Sequence, residues 1–154
     1  MGHEVPAQIN AVNFTSRQNF LQCPAQAFPD SGTGGRFLND VVVTKGAVAR
    51  IVHLCVKCDG VSAMKFGGDG VVVSTPTGST AYSYSAGGPI VEPEAKNIII
   101  TPICAHEIGS RCIVASDKRV VSVEQVLNAR RNAYLSVDGG RAVRLNMGDV
   151  ATIR

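Results

Sequence analysis

Seven Ser and Thr side chains, two tyrosines, three glycines, two prolines and two alanines fill the sixteen residues STPTGSTAYSYSAGGP, Ser74 to Pro89. Hydroxyls donate and accept hydrogen bonds without carrying charge. Thr75, Thr77, Ser79 and Thr80 therefore offer both functions at close spacing, Pro76 fixes φ, and Gly78 lets another group approach the backbone. A helix start within the run would add free N–H groups that favour a phosphate or a polar ligand edge. Two readings stand, a ligand cradle at the end of a buried strand or a capped loop and helix, because Ser- and Thr-rich runs are also ordinary turns.

Other constellations are weaker. GGDG at Gly67 to Gly70 suits either a phosphate or metal loop or a plain turn. Cys55-Val-Lys-Cys58 has no second ligand pair at zinc spacing, and residues three apart on a strand face opposite ways, which favours a structural role. Cys104 and His106 would share a face of a strand, but proximity in sequence does not make a catalytic dyad. Neither GxSxG nor GxxxxGK[ST] occurs, so no serine triad or P-loop is predicted. Asn39-Asp40 suits a ribose diol or, more simply, a loop cap. Arg130-Arg131 and Arg141 near Asp138 read as a solvated face or as positive potential for a phosphate.

The elements that must position these residues are mostly strands. Val41–Lys45, Val48–Cys58, Val61–Phe66, Val71–Ser74, Asn97–Thr101, Arg111–Ala115, Val120–Leu127, Ala133–Val137, Arg141–Leu145 and Val150–Ile153 are short and rich in β-branched residues. Asp59-Gly60 and Asp138-Gly139-Gly140 predict two hairpins. Ser79–Ala86 is the single helical segment, capped by Thr77 or Ser79 and ended by Gly87-Gly88 before Pro89. Residues 1–37 are irregular, with one short strand near Ile9–Phe14, and residues 38–154 form the β-rich domain. The predicted fold class is mainly all-β, a β-sandwich with one short helix.

Composition bounds the function. The 154 residues are 45% apolar and 18% charged, enough for one domain with a real core. A net charge of +3 suits an anionic small molecule and falls short of a nucleic-acid footprint. No apolar run reaches the ~18 residues of a membrane span. Five cysteines, Cys23, Cys55, Cys58, Cys104 and Cys112, follow no disulfide framework and predict free thiols in a reducing, cytoplasmic setting.

Five blocks in fixed order carry a resemblance: LNDVVVTKG from Leu38, GDGVVVSTPTGSTAYSYSAGGPIV from Gly68, ITPICAHEI from Ile100, LSVDGG from Leu135, and GDV from Gly148. Together they resemble the C-terminal half of an NAD kinase, over about Leu38 to Arg154. The TPTGSTAY segment followed by SAGGP is the most specific part.

The resemblance implies an N-terminal α/β domain, absent from this sequence, and a C-terminal β-rich domain, present. The family's catalytic GGDGT motif is not matched, since GGDG here lacks the Thr and directly precedes VVVSTPTGSTAY. No catalytic residue and no metal ligand is therefore assigned. By position, Asn39 and Asp40 match the pair that holds NAD by its ribose hydroxyls, and Thr77, Thr80, Ala81, Tyr82 and Ser85 match the segment around the adenosine half. Asp69 matches an acid reaching a neighbouring subunit's nicotinamide end, Cys104 and His106 fall in a segment lining the site across that interface, and Asp138 matches a carboxylate near the site. Ala105 and Cys112 stand where Pro is common. The implied reaction is phosphoryl transfer from ATP or polyphosphate, with Mg²⁺, to the 2′-hydroxyl of the adenosine ribose of NAD. The fragment alone is expected to bind NAD weakly and without turnover, and a homodimer or tetramer is expected. Two other readings are a non-catalytic nucleotide-binding or assembly module and a lipid kinase relative.

Overall fold

Two antiparallel sheets face each other in a computed structural model that describes residues 12–15 (backbone), 37–47, 50–126, 132–146 and 148–154. Its strands are β1 (Val12–Thr15), β2 (Asp40–Lys45), β3 (Val52–Cys58), β4 (Val61–Gly68), β5 (Gly70–Ser74), β6 (Asn97–Ile103), β7 (Ile113–Ser116), β8 (Val121–Gln125), β9 (Ala133–Val137), β10 (Val143–Leu145) and β11 (Val150–Ile153). A 3₁₀ turn, Thr77–Thr80, and a one-turn helix α1, Tyr82–Ser85, separate β5 from β6. The first sheet runs β1-β11-β8-β3-β4 and the second β10-β9-β2-β5-β6-β7. The β-sandwich read from the sequence is the observed architecture.

Side-chain alternation places the core. Val41 and Val43, Val71 and Val73, Ile98 and Ile100, and Leu135 point inward from the second sheet. Val52, Leu54, Val56, Phe66, Val121, Val123, Ala151 and Ile153 meet them from the first. Full burial of each Val, Leu, Ile or Phe among them contributes about 1.5–3 kcal/mol. The opposite face of the second sheet is apolar too at its centre, where Val42, Val72 and Ile103 cluster with Ala86. That explains the uninterrupted valines of β2 and β5: these strands are buried on both faces. By contrast β8 and β11 alternate buried and half-buried residues.

Both predicted hairpin turns form. Asp59 (φ 50°) and Gly60 (φ 81°) join β3 to β4, and Asp138 (φ 47°) and Gly139 (φ 68°) join β9 to the chain leading to β10. Positive φ at both central residues is the primed turn that matches strand twist. A bulge at Val56/Lys57 interrupts the β3–β4 register. Cys58 packs against the core, whereas Cys55 contacts Ser62, so the CxxC pair does not converge. Cys55, Cys58, Cys104 and Cys112 are free. Cys23, Val48, Leu127, Arg130, Arg131 and the irregular start apart from β1 lie outside the described residues.

Three expectations need correction. The helix predicted over Ser79–Ala86 is a 3₁₀ turn followed by a single α turn, because Ala81 (φ −93°, ψ −128°) breaks helical geometry between them. Neither Thr77 nor Ser79 caps it; the Thr75 hydroxyl accepts from the Gly78 N–H at 3.0 Å instead. Cys104 and His106 do not share a strand face, since β6 ends at Ile103 and Cys104 turns left-handed (φ 47°). At the other end of α1 the expected stop holds: Gly87 and Gly88 N–H groups close onto Tyr84 and Ser83 carbonyls at 2.9 and 2.8 Å.

Candidate functional site

The hydroxyl-rich segment divides by direction. Thr75, Ser79 and Ser83 are buried and satisfied within the chain. Thr75 Oγ1 donates to Leu38 O at 2.6 Å. Ser79 Oγ donates to Val91 O at 3.1 Å and accepts from Val91 N–H at 3.0 Å. Ser83 Oγ and Thr101 Oγ1 pair at 2.9 Å, which binds α1 to β6. Thr77, Thr80, Ala81, Tyr82 and Ser85 are half-buried or exposed, and Tyr82 keeps 44% of its surface. The inward hydroxyls thus build the loop, and the residues matched to adenosine contact are the ones left facing outward.

Gly78 was read as a place where another group approaches. The approaching group is the chain itself: a β-carbon on Gly78 would strike the Asn39 carbonyl. Thr75 N–H also donates to Asn39 O at 2.9 Å. The turn after β5 is thereby fastened to the residues that open β2, and Asn39 lies against the Thr75–Gly78 loop although 36 or more positions separate them.

Asp138 completes this corner. Its Oδ2 accepts from Leu38 N–H at 2.7 Å, and its Oδ1 accepts from Asn39 N–H at 2.8 Å and Asp40 N–H at 3.0 Å. Asp138 N–H donates back to Asp40 O at 2.9 Å. The carboxylate therefore cradles three successive backbone amides, so here its work is to fix the start of β2. Asp40 is 5% exposed, and burial, then the nearby Asp138 charge, pushes its carboxyl above the ordinary carboxylate range. Opposite it in register on β5 stands Ser74, whose fully buried hydroxyl has no partner among the described residues.

A second group gathers at the other end of β5. Gly67 to Gly70 carries the chain from the first sheet to the second, which settles GGDG as a sheet-to-sheet crossover. A side chain on Gly70 would run into the backbone of Val43 and Thr44. Asp69 N–H donates to Ile103 O at 2.9 Å, and its carboxylate pairs with Lys45 Nζ at 2.9 Å. His106 N–H donates to Gly67 O at 2.9 Å, which brings the Cys104–His106 loop beside Asp69. Cys104 and His106 are exposed. The five residues of β5, at a rise of about 3.3 Å each, separate this group from the Asn39–Thr77 corner. Sequence reasoning missed Glu107, whose carboxylate binds Gly67 N–H, and Thr75 as the cap; both act on partners distant in sequence or on backbone groups, which no residue pattern reveals.

A family model described as the ATP-NAD kinase C-terminal domain matches residues 38–154. The chain belongs to that family. It is 45% identical over 116 residues to the NAD kinase of Ruminiclostridium cellulolyticum, covering 75% of this chain and 41% of the relative. It is 42% identical over 120 residues to that of Aquifex aeolicus, covering 78% and 43%. The chain thus spans about two-fifths of the length of these curated relatives. Among solved structures it is similar to yeast NADH kinase complexed with NADH, with a TM-score of 0.79, 29% identity, and 93% of this chain and 38% of that one covered. An NAD kinase from Archaeoglobus fulgidus in complex with ATP gives a TM-score of 0.72 at 27% identity, covering 95% and 50%.

Among the described residues no three His, Cys, Asp or Glu side chains converge to hold a metal ion. No described helix is long and apolar enough to cross a membrane.

Proposed function

We propose that this chain is the dinucleotide-binding part of an NAD kinase, which presents NAD for phosphorylation at the 2′-hydroxyl of its adenosine ribose. The observation that carries the reading is the corner where Asp138 holds the amides of Leu38, Asn39 and Asp40 while the Thr75–Gly78 turn closes on Asn39. The corner brings Asn39 and Asp40 against the Thr75–Gly78 turn, which supports a site formed with Thr77 and Thr80, then Ala81, and Tyr82 and Ser85 on α1. Asn39 and Asp40 bind the ribose hydroxyls, and Tyr82 with its exposed neighbours walls the adenosine. Fixed backbone and preset polar groups lower the ordering penalty of binding.

Asp69, Cys104 and His106 serve the nicotinamide end of a dinucleotide bound to a second copy of the chain. Their separation from the first group along β5 supports this division of labour, as does their clustering at one crossover. The working enzyme is then a homo-oligomer, dimer or tetramer, acting in the cytoplasm on a soluble nucleotide. ATP or polyphosphate donates the phosphoryl group, and the catalytic carboxylate comes from a GGDGT segment that these 154 residues do not contain.

Calorimetric titration of the 154-residue chain with NAD tests the reading. Saturable binding is expected, weakened about tenfold or more by Asn39→Ala, equivalent to about 1.4 kcal/mol. A coupled assay is expected to detect no NADP formation by this chain alone. Absence of NAD binding at millimolar concentration, or an Asn39→Ala chain that binds as well as the parent, would overturn it.

A further inference from the structure

The loop after β6 is held where its own backbone is strained. Cys104 adopts φ 47°, a left-handed conformation disfavoured for a residue with a β-carbon. Such a conformation persists only where surrounding bonds over-determine it. Three bonds do so, and all reach the crossover between the sheets. Asp69 N–H donates to Ile103 O at 2.9 Å, His106 N–H donates to Gly67 O at 2.9 Å, and Gly67 N–H donates to both oxygens of Glu107, at 2.8 and 2.7 Å. The first two use only backbone and are open to any sequence. The third requires an acceptor side chain at position 107. Beyond it the chain turns outward: Ile108 is fully exposed and Gly109 has φ 98°.

We propose that Glu107 is a positioning residue that locks the Cys104–His106 loop in register with Asp69, so that the three present one surface to the dinucleotide. The role rests on the dinucleotide reading above. Glu107 touches no substrate; it acts through Gly67. Glutamine at 107 keeps one oxygen acceptor at the same reach, whereas alanine removes both.

The test compares the parent chain with Glu107→Gln and Glu107→Ala, each first confirmed as folded by its β-sheet circular dichroism. Amide hydrogen exchange at Gly67, Asp69 and His106 is expected to accelerate about tenfold or more in Glu107→Ala and to stay within about threefold of the parent in Glu107→Gln. Titration with NAD is expected to show the dissociation constant raised about fivefold in Glu107→Ala and restored in Glu107→Gln. Normal NAD binding by the parent with exchange unchanged in Glu107→Ala overturns the Glu107 proposal alone. Faster exchange with no change in NAD affinity also overturns it, because the tether is then merely structural. A parent chain that binds no NAD overturns the dinucleotide reading and the positioning role together, whatever the exchange rates show.

Discussion

Asp138 and Asp40 are neighbouring carboxylates with opposite structural roles. Asp138 uses both oxygens on three amides, and the amides of Leu38 and Asn39 take different oxygens. Asparagine would turn one of those oxygens into a donor facing an N–H, so Asp138→Asn should not rescue Asp138→Ala. Both are expected to lower stability by about 1–2 kcal/mol in urea titrations and to weaken NAD binding, since the start of β2 loses its anchor. Asp40 instead sits buried with its carboxyl raised, first by burial and second by Asp138. A raised acid binds its proton more tightly in the folded state than in the unfolded one. Its contribution to stability therefore falls as pH rises from the ordinary carboxylate pKa, about 3.9, through the higher native value, and stays low above it. Asp40→Asn should make the chain more stable than the parent at pH 7, with the two converging toward pH 3 in paired urea titrations, while NAD binding is lost. The resemblance assigns Asp40 and Asp138 to one site, and the structure makes them neighbours. Their division of labour was not legible in the sequence, because it depends on a turn and a strand start brought together across nearly a hundred residues.

At the scale of elements, the polar corner is one joint between the β5 exit and the β2 entry. Thr75 is its rivet, donating to Leu38 O at 2.6 Å and accepting from Gly78 N–H at 3.0 Å. Thr75→Val preserves volume and shape but strips both bonds from a buried site. It is expected to destabilise the chain by about 1–3 kcal/mol in urea unfolding and to raise the NAD dissociation constant, whereas Thr75→Ser should retain most of each. The strands themselves were readable because β-branched runs and Asp-Gly turns are local signals. Val71–Ser74, Ala133–Val137 and Val150–Ile153 appear almost as their residues suggest. The helix was over-read: Ser79–Ala86 has helix-compatible residues, yet Ser79 is drawn onto Val91 and Ser83 onto Thr101, and these tertiary bonds leave only Tyr82–Ser85 helical. The shared strand face of Cys104 and His106 fails for a similar reason, since the loop is held by Gly67 and Asp69 rather than by its own composition.

Across the whole molecule, the chain passes between the sheets at Gly68-Asp69-Gly70 and again between β7 and β8, where a surface latch ties the entry of β8 to the β3–β4 turn of the same sheet. Asp59, in the β3–β4 turn, pairs with Arg119 at 2.6 Å and accepts from Val120 N–H at 2.8 Å. Arg119, then the Val120 amide, hold the Asp59 carboxyl below the usual range. A lowered acid stabilises the fold above its unfolded pKa, and that stability is lost as pH falls through the native value. Arg119→Ala should thus be less stable than the parent near pH 7 and equal to it in strong acid, as read from denaturant midpoints at each pH. The effect should shrink in high salt, since the pair is exposed.

The placement of β11 has a consequence for how the molecule is made. Val150–Ile153 lies between β1 and β8, pairing with both, so the first sheet is completed from the inside by a segment synthesised after every other described strand. Until those residues leave the ribosome, the edge of β8 stays open and the valines of the sandwich lack one wall. A chain that has not yet made these residues leaves that edge exposed to chaperones and to aggregation.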